Sequence, residues 1–169
     1  MSLYEPVFRS LESSGARYVL VGGLALLLLG HPKVTADADI VIDLEPNAAR
    51  AALLALCALG LRPRVPVTIE EFIDPVVRGA LVRERGMTVY SLWDPYVPLR
   101  QVDIFSEHLI DFAELHARAS VVQLLTTNVR VASLRDLLTL KRLAGRDSDA
   151  ADLELLEALN QRALGSDSE

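Results

Sequence analysis

The sequence predicts an α/β domain of the α+β kind: a small mixed sheet flanked by helices, with a helical C-terminal portion. Three observations carry that expectation. Short runs rich in β-branched and aromatic residues recur at 17–21, 37–43, 87–92 and 99–105. Segments between them carry helix punctuation, with Pro or a capping residue at the start and Gly at the end. The resulting order is α, β, α, β, α, then further strands, then helices.

Each element has its own signal. Residues 4–14 read as a short amphipathic helix ended by Gly15, and 17–21 as a strand broken by Gly22 and Gly23. Residues 24–29, rich in Leu and Ala, favour a short helix stopped by Gly30 and Pro32. A loop then leads to the strand 37–43. Pro46, the apolar stretch 48–59 and Gly60 mark the clearest helix. Residues 68–85 read as a helix interrupted by Pro75, with Thr68 and Glu71 at capping-box spacing. Strands 87–92 and 99–105 form a hairpin around Asp94 and Pro95, whose neighbours Trp93 and Tyr96 read as hydrophobic plugs. Residues 120–125 and 129–131 form a second strand pair across Thr127 and Asn128. Ser133 and Asp136 cap a helix over 134–143 that Gly145 stops, and 149–159 is a final helix.

Together these predict one domain over residues 1–164, with its core at about 15–131, C-terminal helices at about 133–162 and a disordered tail at 165–169. Residues are 51% hydrophobic, which excludes disorder as the resting state. A net charge of -6 excludes nucleic-acid binding through a broadly basic face. Arg78, Arg83 and Arg85, and separately Arg135, Lys141, Arg142 and Arg146, read as solvated helix surface. The lone Cys57 allows no disulfide, and the longest apolar run, 19–29, is too short for a bilayer. The expected location is a reducing cytoplasm, with no membrane partner. His31, His108 and His116 lack metal-ligand spacing and are expected at the surface.

The chemistry concentrates in GHPKVTADADIVID, residues 30–43. Side chains alternate along a strand, so Asp37 and Asp39 share one side while Ile40 and Ile42 point into the core. Two like charges so close either share a proton or are held by a cation, and hard oxygen donors suit Mg²⁺ completed by water and substrate phosphates. Asp43 has the same parity but lies roughly 13 Å from Asp39 along a strand, outside the site. Asp103, between Val102 and Ile104, offers a third carboxylate if its strand lies beside the first. Gly22 and Gly23, between strand and helix, present backbone N–H groups to a phosphate. Neither G-x-G-x-x-G nor G-x-x-x-x-G-K-[ST] is completed, which removes dinucleotide-binding and P-loop readings.

The combination resembles the nucleotidyltransferase superfamily to which DNA polymerase β belongs: a strand, Gly-Gly, a short helix, D-x-D and a later lone Asp on a strand. VGGLALLLLGHPKVTADADIVID together with DLLTLKRLAGRDSDAADLELL, residues 136–156, is similar to the small bacterial nucleotidyltransferases of the abortive-infection, type IV toxin family. There a lysine on a late helix and a Gly-Arg-x-x-Asp stretch belong to the signature, matched here by Lys141, Gly145, Arg146 and Asp149. Residues 61–99 match nothing recognisable. Two departures stand out: Gly23 replaces a frequent serine, so its phosphate contact falls to backbone or Thr35, and Lys33 replaces a frequent arginine.

The resemblance implies a nucleotidyltransferase fold and transfer of NMP from an NTP such as ATP to a hydroxyl of RNA (tRNA included), protein or a small molecule. It implies two Mg²⁺ ions, with Mn²⁺ as a substitute, on Asp37, Asp39 and Asp103, and Asp103 as proton acceptor. Gly22, Gly23, Lys33, Thr35, Lys141 and Arg146 would bind the nucleotide, and a toxin role would bring an antitoxin partner. The alternative is a non-catalytic relative that binds nucleotide or serves as the interaction half of a toxin-antitoxin pair. A metal-dependent hydrolase is disfavoured, because no histidine accompanies the carboxylates.

Overall fold

The computed structural model describes residues 3–145 and 150–166. In chain order the elements are α1 (Glu5–Ser13), β1 (Tyr18–Val21), α2 (Gly22–Leu28), β2 (Ala38–Ile42), α3 (Pro46–Ala58), β3 (Arg62–Pro63), α4 (Ile69–Ile73) and α5 (Pro75–Arg85). They continue with β4 (Val89–Trp93), β5 (Gln101–Phe105), α6 (Phe112–Arg118), β6 (Ser120–Leu124), β7 (Thr127–Val131), α7 (Leu134–Ala144) and α8 (Ala150–Ser166). The mixed α/β expectation holds, but the sheet is larger than predicted: seven strands in the order β3-β4-β5-β2-β1-β7-β6.

Two parallel pairings lie at the centre of this sheet, β2 with β5 and β1 with β7, and the other neighbours are antiparallel. One face of the central strands is sealed by the core. Ala38, Ile40 and Ile42 of β2, with Val102 and Ile104 of β5, are fully or almost fully buried. Stacked pairs Phe8–Tyr18 and Phe72–Tyr90 fill the larger gaps, and the Tyr90 hydroxyl donates to the Val67 carbonyl at 2.7 Å. This is how a tyrosine is buried without an orphaned hydroxyl.

Several boundaries differ from the sequence reading. The helix expected over 68–85 is two helices, because Asp74 accepts from the N–H groups of Val76 and Val77 and starts α5 afresh. The Thr68–Glu71 capping box is present at the start of α4. The second hairpin turns at Leu125 and Thr126, not at Thr127 and Asn128. Thr127, Val129 and Val131 alternate inward and extend β7 toward the turn, and Leu125 takes the left-handed conformation at φ 52°. α6 and the two-residue β3 went unpredicted. α8 runs to Ser166 and so takes in Gly165 and Ser166, the first two residues of the expected tail. No described helix is long and apolar enough to cross a membrane.

Among the side chains, Tyr96 is 84% exposed, so it plugs nothing, and Trp93 lies under the Arg64 guanidinium at 5.4 Å. His108 and His116 are half-buried rather than superficial, since both rings pack on Phe112 of α6. Arg78 is buried at 8% exposure, contrary to the solvated surface expected for it, because its guanidinium turns back onto the carbonyls that end α4.

Candidate active site

β1 and β2 pair antiparallel with Val21 opposite Asp39, and β2 and β5 pair parallel with Asp39 opposite Asp103. Residues opposite each other in a sheet project to the same face, so Asp39 and Asp103 stand side by side on neighbouring strands about 4.8 Å apart. Asp37 falls just outside β2, at the bend that leads into it. All three line one cleft of about 620 Å³, with Gly22, Gly23, Lys33 and Thr35 on one side and Leu137, Leu140 and Lys141 of α7 on another. That volume lies within the usual range for small-molecule sites. Of the nine residues singled out from the sequence, eight line this cleft. Arg146 lies outside the described residues, as does Asp149.

The glycine pair has a steric reason. Gly22 has φ +69°, and a Cβ there would meet Asp39 Oδ2 at 2.1 Å. The Asp39 carboxylate therefore occupies space that only glycine leaves open. A Cβ on Gly23 would lie 2.9 Å from Thr35 Cβ and 3.1 Å from Thr35 Oγ1. Thr35 thus fills the room a serine at position 23 would need, which accounts physically for the departure from Gly-Ser. Val21, the residue before α2, provides no side-chain cap for the first N–H groups of that helix.

Hydrogen bonds orient the carboxylates. Thr35 Oγ1 donates toward the Asp37 carbonyl and Oδ1, both at 3.2 Å. Gln101 Nε2 donates to Asp103 Oδ1 at 3.1 Å and Oδ2 at 3.3 Å. Tyr4, from the start of α1, donates to Ala36 O at 2.8 Å and Leu99 O at 3.2 Å, tying the approach to β2 to the approach to β5. Burial foremost, with the negative charges of Asp37 and Asp103 behind it, pushes the Tyr4 hydroxyl above its ordinary pKa, against the opposing backbone bond at Gln101 and the charge of Arg100. Gln101 had a visible signal, since it precedes Asp103 by two and shares its face. Tyr4 had none, lying 32 residues from Ala36 and 95 from Leu99. Asp43 stands apart, paired with Arg17 at 2.8 Å.

Among the described residues, no group of three or more His, Cys, Asp or Glu is placed to hold one ion. Asp103 leans on Gln101, and Asp39 is pressed against Gly22. The donor chemistry still fits a hard divalent cation held by a carboxylate pair, because Mg²⁺ takes one or two protein carboxylates and fills its shell with water and phosphate. Asp37 and Asp39, both lining the cleft, are the candidates for that pair.

No protein-family model matches the chain, and no curated protein matches it. Solved structures do. A Thermotoga maritima protein taken to be a nucleotidyltransferase, TM1012, aligns with 17% identity and a TM-score of 0.58 over 95% of this chain and 92% of its own. The antibiotic-resistance factor ANT(2″)-Ia aligns with 15% identity and a TM-score of 0.52 over 98% of this chain and 92% of its own. At such identity the likeness establishes the fold, which is that of the nucleotidyltransferases.

Proposed function

We propose that this chain, having the nucleotidyltransferase fold, is a metal-dependent nucleotidyltransferase that moves NMP from an NTP to a hydroxyl acceptor. The observation that carries this reading is the in-register pair Asp39 and Asp103 in the cleft beside Asp37 and the glycine pair. Desolvating adjacent carboxylates is unfavourable unless a cation compensates them.

Asp37 and Asp39 would hold Mg²⁺, or Mn²⁺ in its place. When bound, the ion supplies charge neutralisation at the triphosphate and acidifies a nearby hydroxyl. Gly22 and Gly23 offer main chain that a phosphate can approach closely, and Thr35 keeps Asp37 oriented. Lys33, from the loop before β2, and Lys141, from α7, would bring positive charge to the cleft, with Arg146 as a further candidate. Asp103 accepts the proton of the acceptor hydroxyl, whose oxygen bonds to the α-phosphorus as the bond to pyrophosphate breaks and pyrophosphate leaves with the electron pair. For Asp103 to do so, Gln101 must yield or share it. RNA such as tRNA, a protein, or a small molecule is the proposed acceptor class, and a toxin role with an antitoxin partner is part of this reading on the sequence resemblance alone.

Incubation with each radiolabelled NTP, Mg²⁺ and candidate acceptors tests it. Labelling should be abolished by a chelator and fall at least about a hundredfold in Asp39→Asn and Asp103→Asn. Equal labelling by wild type and both variants would refute the assignment. The Gln101–Asp103 contact favours a second reading, a nucleotide-binding module without catalysis. Saturable NTP binding with no labelling under any metal would select it.

A further inference from the structure

On the side of β5 away from the carboxylates, a groove of about 480 Å³ is lined by α5 and by the segment that follows β5. Arg78 and Arg83 come from α5, Ser106 and His108 from that segment, and Glu107 borders both this groove and the cleft. Nothing in the proposed transfer uses these residues.

Two features set the groove apart from an ordinary basic surface. The first is Ser106, at 2% exposure, whose Oγ is a buried side-chain atom with no hydrogen-bond partner. Such a hydroxyl is uncommon, because desolvation without a partner is unfavourable. The second is Arg78, whose Nη1 donates to Phe72 O at 2.9 Å and Ile73 O at 3.2 Å and so fixes the guanidinium at the groove wall. Among the described residues neither Arg78 nor Arg83 forms an ion pair. Burial draws Arg78 below the usual arginine range, partly offset by Asp74, yet an arginine stays charged at neutral pH.

The second guanidinium is brought in by a gap in the helix surface. Gly79 follows Arg78, and a Cβ there would lie 3.0 Å from Arg83 Nη1, so Arg83 folds back across a place without a side chain. His108 is held by its Nε2, which donates to the Ile42 carbonyl at 2.8 Å, and by stacking on Phe112. The acidic groups nearby are Asp74, whose Oδ1 accepts the N–H groups of Val76 and Val77, and the exposed Glu107. Arg78, whose guanidinium also lies 5.7 Å over the Phe72 ring, and Arg83 keep their positive charges without a carboxylate partner among the described residues, and with the unsatisfied hydroxyl they suit a tetrahedral oxyanion, since arginine offers forked donors and serine one more.

We infer that this groove is a phosphate-binding site, distinct from the candidate active site and adjoining it at Glu107. Phosphate binding here requires no transfer chemistry in the cleft. The phosphate could be carried by a nucleic-acid chain or be free orthophosphate, and the two sources separate experimentally.

Titration of the whole protein with inorganic phosphate at constant ionic strength, followed by amide NMR, tests the site. Saturable shifts are expected at Gly79, Ser106 and Glu107. Affinity should weaken about tenfold in Arg83→Gln, a surface change, and comparably in Ser106→Ala, which removes the unpaired hydroxyl without disturbing the fold. Displacement of phosphate by a short single-stranded RNA would assign the site to a chain-borne phosphate, and failure to displace it would assign free phosphate. No saturable shift, shifts confined to Gly22 and Gly23, or unchanged affinity in both variants would overturn the inference.

Discussion

Gly15 and Gly22 have the same φ of +69°, but a Cβ at Gly15 meets nothing within 4 Å whereas one at Gly22 meets Asp39 Oδ2 at 2.1 Å. Substitution by alanine at both positions therefore separates backbone strain from steric conflict. Placing an L-residue in the left-handed region costs about 1–2 kcal/mol, and Gly15→Ala should lose no more than that. Gly22→Ala adds the collision. Relieving it to an ordinary contact near 3.4 Å moves the carboxylate by about 1.3 Å, at a total loss of about 2–5 kcal/mol. In the role proposed for Asp39, a displacement of that size lowers rate by about a hundredfold. Urea denaturation of both variants reads the first quantity as a fall in midpoint at unchanged slope, and NMP labelling reads the second. Equal midpoints for the two variants would refute the packing of Asp39 on Gly22, whatever the labelling shows.

Other outcomes follow from the same contacts. Tyr4→Phe should lose about 1–2 kcal/mol on denaturation, because it removes donation to Ala36 O and Leu99 O, and should reduce labelling by loosening the approach to Asp37. Asp136 is 3% exposed, accepts from Arg118 at 2.8 Å and from Ser133 at 2.7 Å, and joins α6 to α7. Asp136→Ala should lose about 2 kcal/mol, a value below that of a fully buried pair because Arg118 is partly exposed. Thr126, then Arg9, hold the Glu5 carboxylate below its ordinary pKa of 4.5. A depressed carboxyl pKa contributes stability above the unfolded value and loses it as pH falls through the folded one. The melting gap between wild type and Glu5→Gln should thus be widest above about pH 4.5 and close below it.

Local patterns were legible because their causes are local. The strands 17–21 and 99–105, the helix begun by Pro46, the capping box of Thr68 and Glu71, and the stop at Gly145 each depend on residues within a turn or two of one another. Strand alternation led to Asp37 and Asp39 being expected on one side, whereas Asp37 stands at the bend before β2 and meets Asp39 only as a fellow lining residue of the cleft. Elements without that local support were missed. β3 is two residues long and exists only because Trp93 and Leu92 lie opposite it, and α6 has seven residues, too few for a periodic signal.

Residue types and short spacings determined that this chain carries paired carboxylates after a glycine turn, and that helices and strands alternate around them. Only the tertiary structure decided that β5 lies against β2 with Asp103 opposite Asp39, that Tyr4 ties their approaches together, and that Arg78 turns back onto the carbonyls ending α4. Strand order is selected by which apolar faces bury one another over the whole chain. A carboxylate's neighbour from a distant segment is set by that global packing, which no local window of sequence contains.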